Sequence, residues 1–206
     1  MTRKIIEFFL SPTYFFADYR KSIYRENPKS TGKLIKKFNT IYLIISLSIA
    51  LCLFFVSPVG IYKSEYKGLF MWVAALIIWA YPLSRANEVF YAFYKDAIEK
   101  LNGDNPNSNL TYGERIQLAF KSYIELIFNF ATIYLLLPSK CFKSPPENYV
   151  DALYFSGVTI TTLGYGDTSP ICEIPKLLSV YQVLCGFILI IVSFAIYTGR
   201  GMGQRS

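Results

Sequence analysis

Near the C-terminal end, Thr161-Thr162-Leu163-Gly164-Tyr165-Gly166-Asp167 offers chemistry that resides in its backbone rather than its side chains. Gly164 and Gly166 can adopt left-handed or mirror conformations without a Cβ penalty, so successive carbonyl oxygens can face one way where a strand would alternate them. A row of such oxygens along one axis can replace the water shell of a cation. Other chemistries are poorly supplied. The chain has no histidine, which removes histidine metal sites, histidine-based triads and the usual pH switch. Its four cysteines, Cys52, Cys141, Cys172 and Cys185, lack the close paired spacing of a zinc site. With no nucleophile–base or metal constellation, an enzyme is the weakest reading, and no cofactor is implied.

The elements that must position this stretch belong in a membrane. Of 206 residues, 53% are hydrophobic and 17% aromatic, a profile that suits a bilayer better than a soluble core. An uncharged run from about Phe38 to Val59 is long enough to span. A second begins near Leu69 and reaches about Leu83; it is marginally short unless Arg85 snorkels and the helix continues past Pro82. Continuation fits Phe90, Phe93, Tyr94, Ala97, Ile98 and Leu101, which share one helical face. Residues 102 to 109 form a loop by composition, and Thr111 with Glu114 then shows capping-box spacing. The apolar run from about Ile116 to Leu137 follows. Lys121 and Glu125 lie one turn apart inside it, spaced to pair unless Lys121 reaches back to the interface; an intramembrane Glu125 is by default a functional candidate. From Glu147 or Tyr149 to about Thr161 the chain can form a helix too short to cross, and the last span runs from about Ile174 to Thr198. A short helix leading into glycine-containing backbone is the form of a re-entrant loop, tolerated at membrane depth only beside protein or water.

The predicted architecture is therefore an all-α integral membrane protein with four spans and one re-entrant segment. An even count places both termini on one side, and most of the basic residues fall there, so that side is cytoplasmic. The net charge of +7 is explained by this topology, without nucleic acid as a partner. Anionic lipid at the cytoplasmic face is a compatible partner. Residues 1–37 form a basic, aromatic segment that lies in the interface or forms a cytoplasmic tail; residues 38–101 hold two peripheral spans with an amphipathic extension, residues 102–115 a cytoplasmic loop and helix start, and residues 116–206 the remainder. Cys52 and Cys185 read as small buried hydrophobes. Cys141 and Cys172 both fall outside, flanking the heptapeptide, and sequence leaves open whether they are bridged.

Over about the last 90 residues the chain resembles the potassium channel family in both motif and element order: outer helix, pore helix, filter and inner helix. The resemblance implies that carbonyls of Thr162, Leu163, Gly164, Tyr165 and Gly166, with the Thr162 hydroxyl, line the ion path. Thr161, Asp167, Tyr154 and Val158 would support that filter. Leu163 replaces the usual valine or isoleucine, and Val158 occupies a position that is glutamate in some bacterial members. Tyr154 stands where an aromatic donor commonly meets the filter aspartate, which predicts a hydrogen bond to Asp167. Gly186 falls at the family's inner-helix hinge position; because a mid-helix glycine costs about 1 kcal/mol against alanine, it serves a hinge or close packing. One filter per chain supplies one wall, so a homotetramer around a central pore is implied, conducting K+ passively across the cell membrane. Neither early span carries the arginine series of a steep voltage sensor. The alternatives are the pore subunit of a potassium transporter and a non-conducting regulatory or scaffold subunit.

Overall fold

The computed structural model describes residues 11–23, 27–55, 69–103 and 108–203, with side chains for all of these except 69–79, 191–192 and 200–203. The start of the basic segment, the turn carrying Lys63, Glu65 and Lys67, the tip of the 102–109 loop and the last three residues lie outside the described residues. Helices dominate what is described: α1 (Pro12–Ile23), α2 (Pro28–Phe55), α3 (Leu69–Asn102), α4 (Tyr112–Leu135), α5 (Tyr149–Ile160), α6 (Glu173–Phe187) and α7 (Phe194–Gly203), with a π-helical stretch over Ile188–Ser193 joining the last two. No strand occurs among the described residues, and one isolated antiparallel bridge pairs Phe142 with Pro170.

The helix starts have local causes. Ser11 and Asn27 stand before Pro12 and Pro28, each a proline at the first helical position, where its missing N–H costs nothing. The Ser11 Oγ accepts from Tyr14 N at 3.2 Å, and Asn27 Oδ1 accepts from Ser30 N at 3.2 Å. At α4 the capping box is reciprocal: Thr111 N donates to Glu114 Oε2 at 2.9 Å while Glu114 N donates to Thr111 Oγ1 at 3.2 Å. Helix α3 continues through Pro82.

Three described helices are long and apolar enough to cross a membrane: Pro28–Phe55, Tyr112–Leu135 and the combined Glu173–Gly199. The expected second span falls in the first part of α3, where side chains up to 79 lie outside the described residues.

The chain divides into two compact units. One comprises residues 1–44, 84–124 and 185–206. Polar links hold it together. The Ser11 hydroxyl donates to the Ser84 carbonyl at 2.8 Å, Asn39 Nδ2 donates to Ser122 Oγ at 2.8 Å, and Lys36 meets Glu114 at 2.7 Å. Arg85 does not reach outward. It is buried, lies 4.0 Å over the Tyr42 ring and pairs with Glu88 at 2.6 Å, so a cation–π contact and a carboxylate take the place of the interface. The Lys121 ammonium faces Thr40 Oγ1 at 3.5 Å.

In the same unit Asp96 joins three segments. It pairs with the buried Arg115, which also donates to Ser108 Oγ at 3.1 Å, and its Oδ2 accepts from the Tyr197 hydroxyl at 2.7 Å. Removing one partner of a buried pair strands the other charge. Asp96→Ala is therefore expected to lower stability by roughly 3 kcal/mol, the low end of the range for a buried pair because Asp96 keeps partial contact with solvent. Thermal unfolding in detergent measures this, and an unchanged midpoint would remove the pair from the account.

The other unit comprises residues 45–83 and 125–184. Its apolar core joins α2, α4 and α5 through Ala50, Leu53, Ala131, Leu135, Tyr149 and Ala152. Three alanines at the contact let these helices approach closely, which is how helices associate when no hydrophobic effect drives them together. Aromatic edges extend it: Tyr134 meets Phe155 at 4.7 Å between ring centroids, and Phe155 meets Phe142 at 5.9 Å.

Candidate functional site

Helix α5 aims its C-terminal end into the glycine-containing stretch, and both of its ends are chemically specified. At the start Asn148 Oδ1 accepts from Asp151 N at 3.0 Å, while Asp151 Oδ2 accepts from Glu147 N at 3.1 Å and Asn148 Nδ2 at 2.9 Å. At the end the chain closes in a Schellman turn. Leu163 N donates to the Val158 carbonyl at 3.0 Å and Thr162 N to the Thr159 carbonyl at 3.0 Å. The Thr161 hydroxyl adds a bond to the Gly157 carbonyl at 2.7 Å.

That turn needs a left-handed residue, usually glycine, and here it is Thr162 with φ 61°. A β-branched residue there carries strain, of order 1–3 kcal/mol, held by the surrounding bonds. Gly164 at φ 56° and Gly166 at φ 80° repeat the left-handed conformation at every second residue, while Leu163 and Tyr165 are not left-handed. Alternating hands of this kind turn successive carbonyls to the same side. Thr161 through Asp167 are all exposed in the single chain, Leu163 by 59% and Tyr165 by 67%. An apolar and aromatic surface of that kind marks an interaction face.

Behind the stretch, the Tyr165 ring lies parallel to that of Tyr154 on α5, 6.5 Å between centroids and 8° between planes. The Tyr154 hydroxyl and the Asp167 carboxylate interact, which holds Asp167 below the ordinary carboxylate range and pushes the Tyr154 phenol up. Because the Asp167 pKa is depressed, its contribution is present above the ordinary carboxylate pKa and is lost as pH falls through the lower, bonded value. Tyr154→Phe is expected to move the acid-side loss of function upward, toward the ordinary carboxylate range. An acid midpoint identical to that of the unaltered chain would show that the interaction does no work.

After the stretch the chain is tied back to the segment before α5. Cys141 and Cys172 form a disulfide with Cα atoms 4.9 Å apart. Lys143 N donates to the Ser169 carbonyl at 2.9 Å and Ile171 N to the Cys141 carbonyl at 2.8 Å. The bridge that sequence left open thus closes around α5 and the heptapeptide.

Gly186 is buried in the last turn of α6, and the departure from α-helical bonding comes just after it, over Ile188–Ser193. Within that stretch the Ser193 hydroxyl donates to the Ile188 carbonyl at 2.9 Å. Val158 contributes through its carbonyl rather than its side chain. Sequence reading missed the network of Tyr134, Ser156 and Gln182 behind α5; a lone amide in an apolar span is the signal that would have exposed it. Among the described residues no cluster of histidine, cysteine, aspartate or glutamate could hold a metal ion.

Residues 122–200 match the family model described as "Ion channel". The chain is 45% identical over 58 residues to the Two pore potassium channel c of Oryza sativa subsp. japonica, covering 27% of this chain and 13% of that protein. It is 55% identical over 38 residues to the Two-pore potassium channel 2 of Arabidopsis thaliana, covering 18% of this chain and 9% of that one. Over these residues the chain is similar to the pore-loop potassium channel family. A 46% identity over 38 residues to the Hyperpolarization-activated voltage-gated potassium channel of Methanocaldococcus jannaschii covers 18% of each. This chain therefore spans less than a fifth of the length of those potassium channels. No solved structure matches it. The family is one of ion channels, not of enzymes, and it agrees with the apolar helices in making this a membrane protein. The matched residues 122–200 run from within α4 through α5, the heptapeptide and α6 into α7.

Proposed function

We propose that this chain forms a homotetrameric potassium-selective channel that passes K+ passively down its gradient. The observation that carries the reading is the alternation of left-handed residues at Thr162, Gly164 and Gly166, which lines up carbonyls on an exposed face. Those of Thr162, Leu163, Gly164, Tyr165 and Gly166, with the Thr162 hydroxyl, replace the ion's hydration shell. Four copies close the ring, and the exposed Leu163 and Tyr165 find their cover there. The C-terminal end of the pore helix faces the ions with its partial negative charge. Thr161, Val158, Tyr154 and Asp167 brace the filter from behind. Four spans and a re-entrant pore loop place both termini in the cytoplasm and the disulfide outside the cell membrane. Gly186 and the π-helical stretch beyond it supply the flexible part of the inner helix. The reading involves no cofactor and no nucleic acid; anionic lipid meets the basic cytoplasmic segments.

Liposomes loaded with potassium test this directly. The purified protein is expected to support potassium-driven flux and little sodium flux, and Gly164→Asp to eliminate it. Equal potassium and sodium flux, or flux that survives Gly164→Asp, would sink the proposal.

A further inference from the structure

The inner helix carries a completely buried amide, Gln182. Both of its donors and its oxygen are met by α4 and α5. Nε2 donates to Ser156 Oγ at 2.7 Å and to the Ser156 carbonyl at 3.0 Å, and Oε1 accepts from the Tyr134 hydroxyl at 2.9 Å. Ser156 Oγ passes the chain on by donating to the Ile127 carbonyl at 2.8 Å. Only one orientation of the amide fits. The reverse one would set Oε1 against the Ser156 carbonyl, two acceptors facing each other.

The amide thus ties α6 to Ser156 on α5, with Tyr134 and Ile127 of α4 as fixed points. Ser156 lies one helical turn before the Schellman cap, whose bonds from Thr162 N and Leu163 N hold Thr162 at φ 61°. Low-dielectric surroundings strengthen such bonds and make a half-satisfied network costly. Rotation or tilt of α6 at this level must therefore carry α5 along or break three bonds together. Packed apolar side chains at these positions could stabilise the fold about as well, so burial alone does not account for an amide.

We propose that Gln182 is a positioning residue for the filter, transmitting the setting of the inner helix through Ser156 to the strained cap at Thr162 and so governing how long the filter stays conductive. This rests on the reading of the chain as a potassium pore and adds the route by which that pore is regulated.

The test compares flux decay after potassium is withdrawn from liposomes holding the unaltered chain, Ser156→Ala/Gln182→Leu, and Leu178→Ala. The double variant removes amide and hydroxyl together and leaves the Tyr134 hydroxyl with Ser179 Oγ at 3.4 Å. It is expected to assemble, to keep potassium over sodium flux when potassium is present, and to lose conduction at least tenfold faster once potassium is removed. Leu178→Ala, a packing change at a buried position on the same helix, should lower the melting midpoint yet keep the decay within twofold. If the double variant also decays within twofold of the unaltered chain, or Leu178→Ala speeds decay equally, Gln182 is packing and the proposal is overturned. Should the double variant fail to assemble, Tyr134→Phe, which removes the bond to Oε1 together with the longer one to Ser179 Oγ, decides the matter by the same decay measurement when set beside Ser179→Ala, which removes only the longer one: decay faster than in Ser179→Ala supports the proposal and equal decay overturns it. Absence of selective flux from the unaltered chain would instead defeat the channel reading itself.

Discussion

Gly164→Ala is expected to abolish potassium-selective flux while leaving the helices assembled. The space around Gly164 does not cause this, since a Cβ built there meets nothing within 4 Å in the single chain. The cause is the backbone, held at φ 56°. A residue with a Cβ pays about 1–2 kcal/mol to stay left-handed. In a fourfold ring every copy pays it, so the conductive geometry loses roughly 4–8 kcal/mol against any arrangement in which φ reverts. At 1.4 kcal/mol per factor of ten, the conductive population falls by about a thousandfold or more. Thr162 bears similar strain, yet two backbone bonds and the Thr161 hydroxyl hold its turn in place, and among the described residues the backbone bonds of that turn end at Leu163. Gly164 has no such clamp. Flux ratios for potassium and sodium in liposomes measure the outcome, and selectivity retained in Gly164→Ala would refute the argument from backbone conformation.

The contrast between Gly164 and Thr162 also marks what could be read from sequence. Glycine announces a left-handed position because conformational freedom is its only property. A threonine in that conformation is visible only when the helix it terminates is known to close in a Schellman turn. Helix starts are legible for the opposite reason: Thr111 with Glu114 satisfies its own donors within four residues, so the chemistry is complete in the sequence window. The short helix before the filter is similarly legible, because Asn148 caps its start and its length rules out a crossing.

What sequence could not supply are the long-range polar links. Tyr197 reaches Asp96 across 101 positions and Gln182 reaches Ser156 across 26. Each residue alone is an ordinary polar side chain on a helix, and only the packing brings its partner near. Arg85 follows the same rule. An arginine just past a short apolar run suggests a side chain reaching for water, whereas Glu88 three positions on and the ring of Tyr42 make burial affordable. The π-helical stretch after Gly186 has no signal of its own, since helix propensity does not distinguish which carbonyl an N–H selects.

Replacing the disulfide by Cys141→Ser/Cys172→Ser is expected to cost about 3–4 kcal/mol, from the loop entropy of a bridge spanning 31 positions. That loop contains all of α5 and the heptapeptide, so opening it frees the segment whose geometry the proposed function needs most. The ties between Lys143 and Ser169 and between Ile171 and Cys141 remain, and Phe142 stays buried against Phe155, so the fold survives. Filter lifetime, rather than assembly, should therefore fall first. Thermal unfolding in detergent with and without reductant gives the stability; a loss under about 1 kcal/mol would assign the bracing to the backbone bonds instead. Sidedness adds a second reading. Disulfides persist where the environment is oxidising. A membrane-impermeant reductant should thus shorten conduction only when applied from the outside of cells, and an effect confined to the cytoplasmic side would invert the proposed topology.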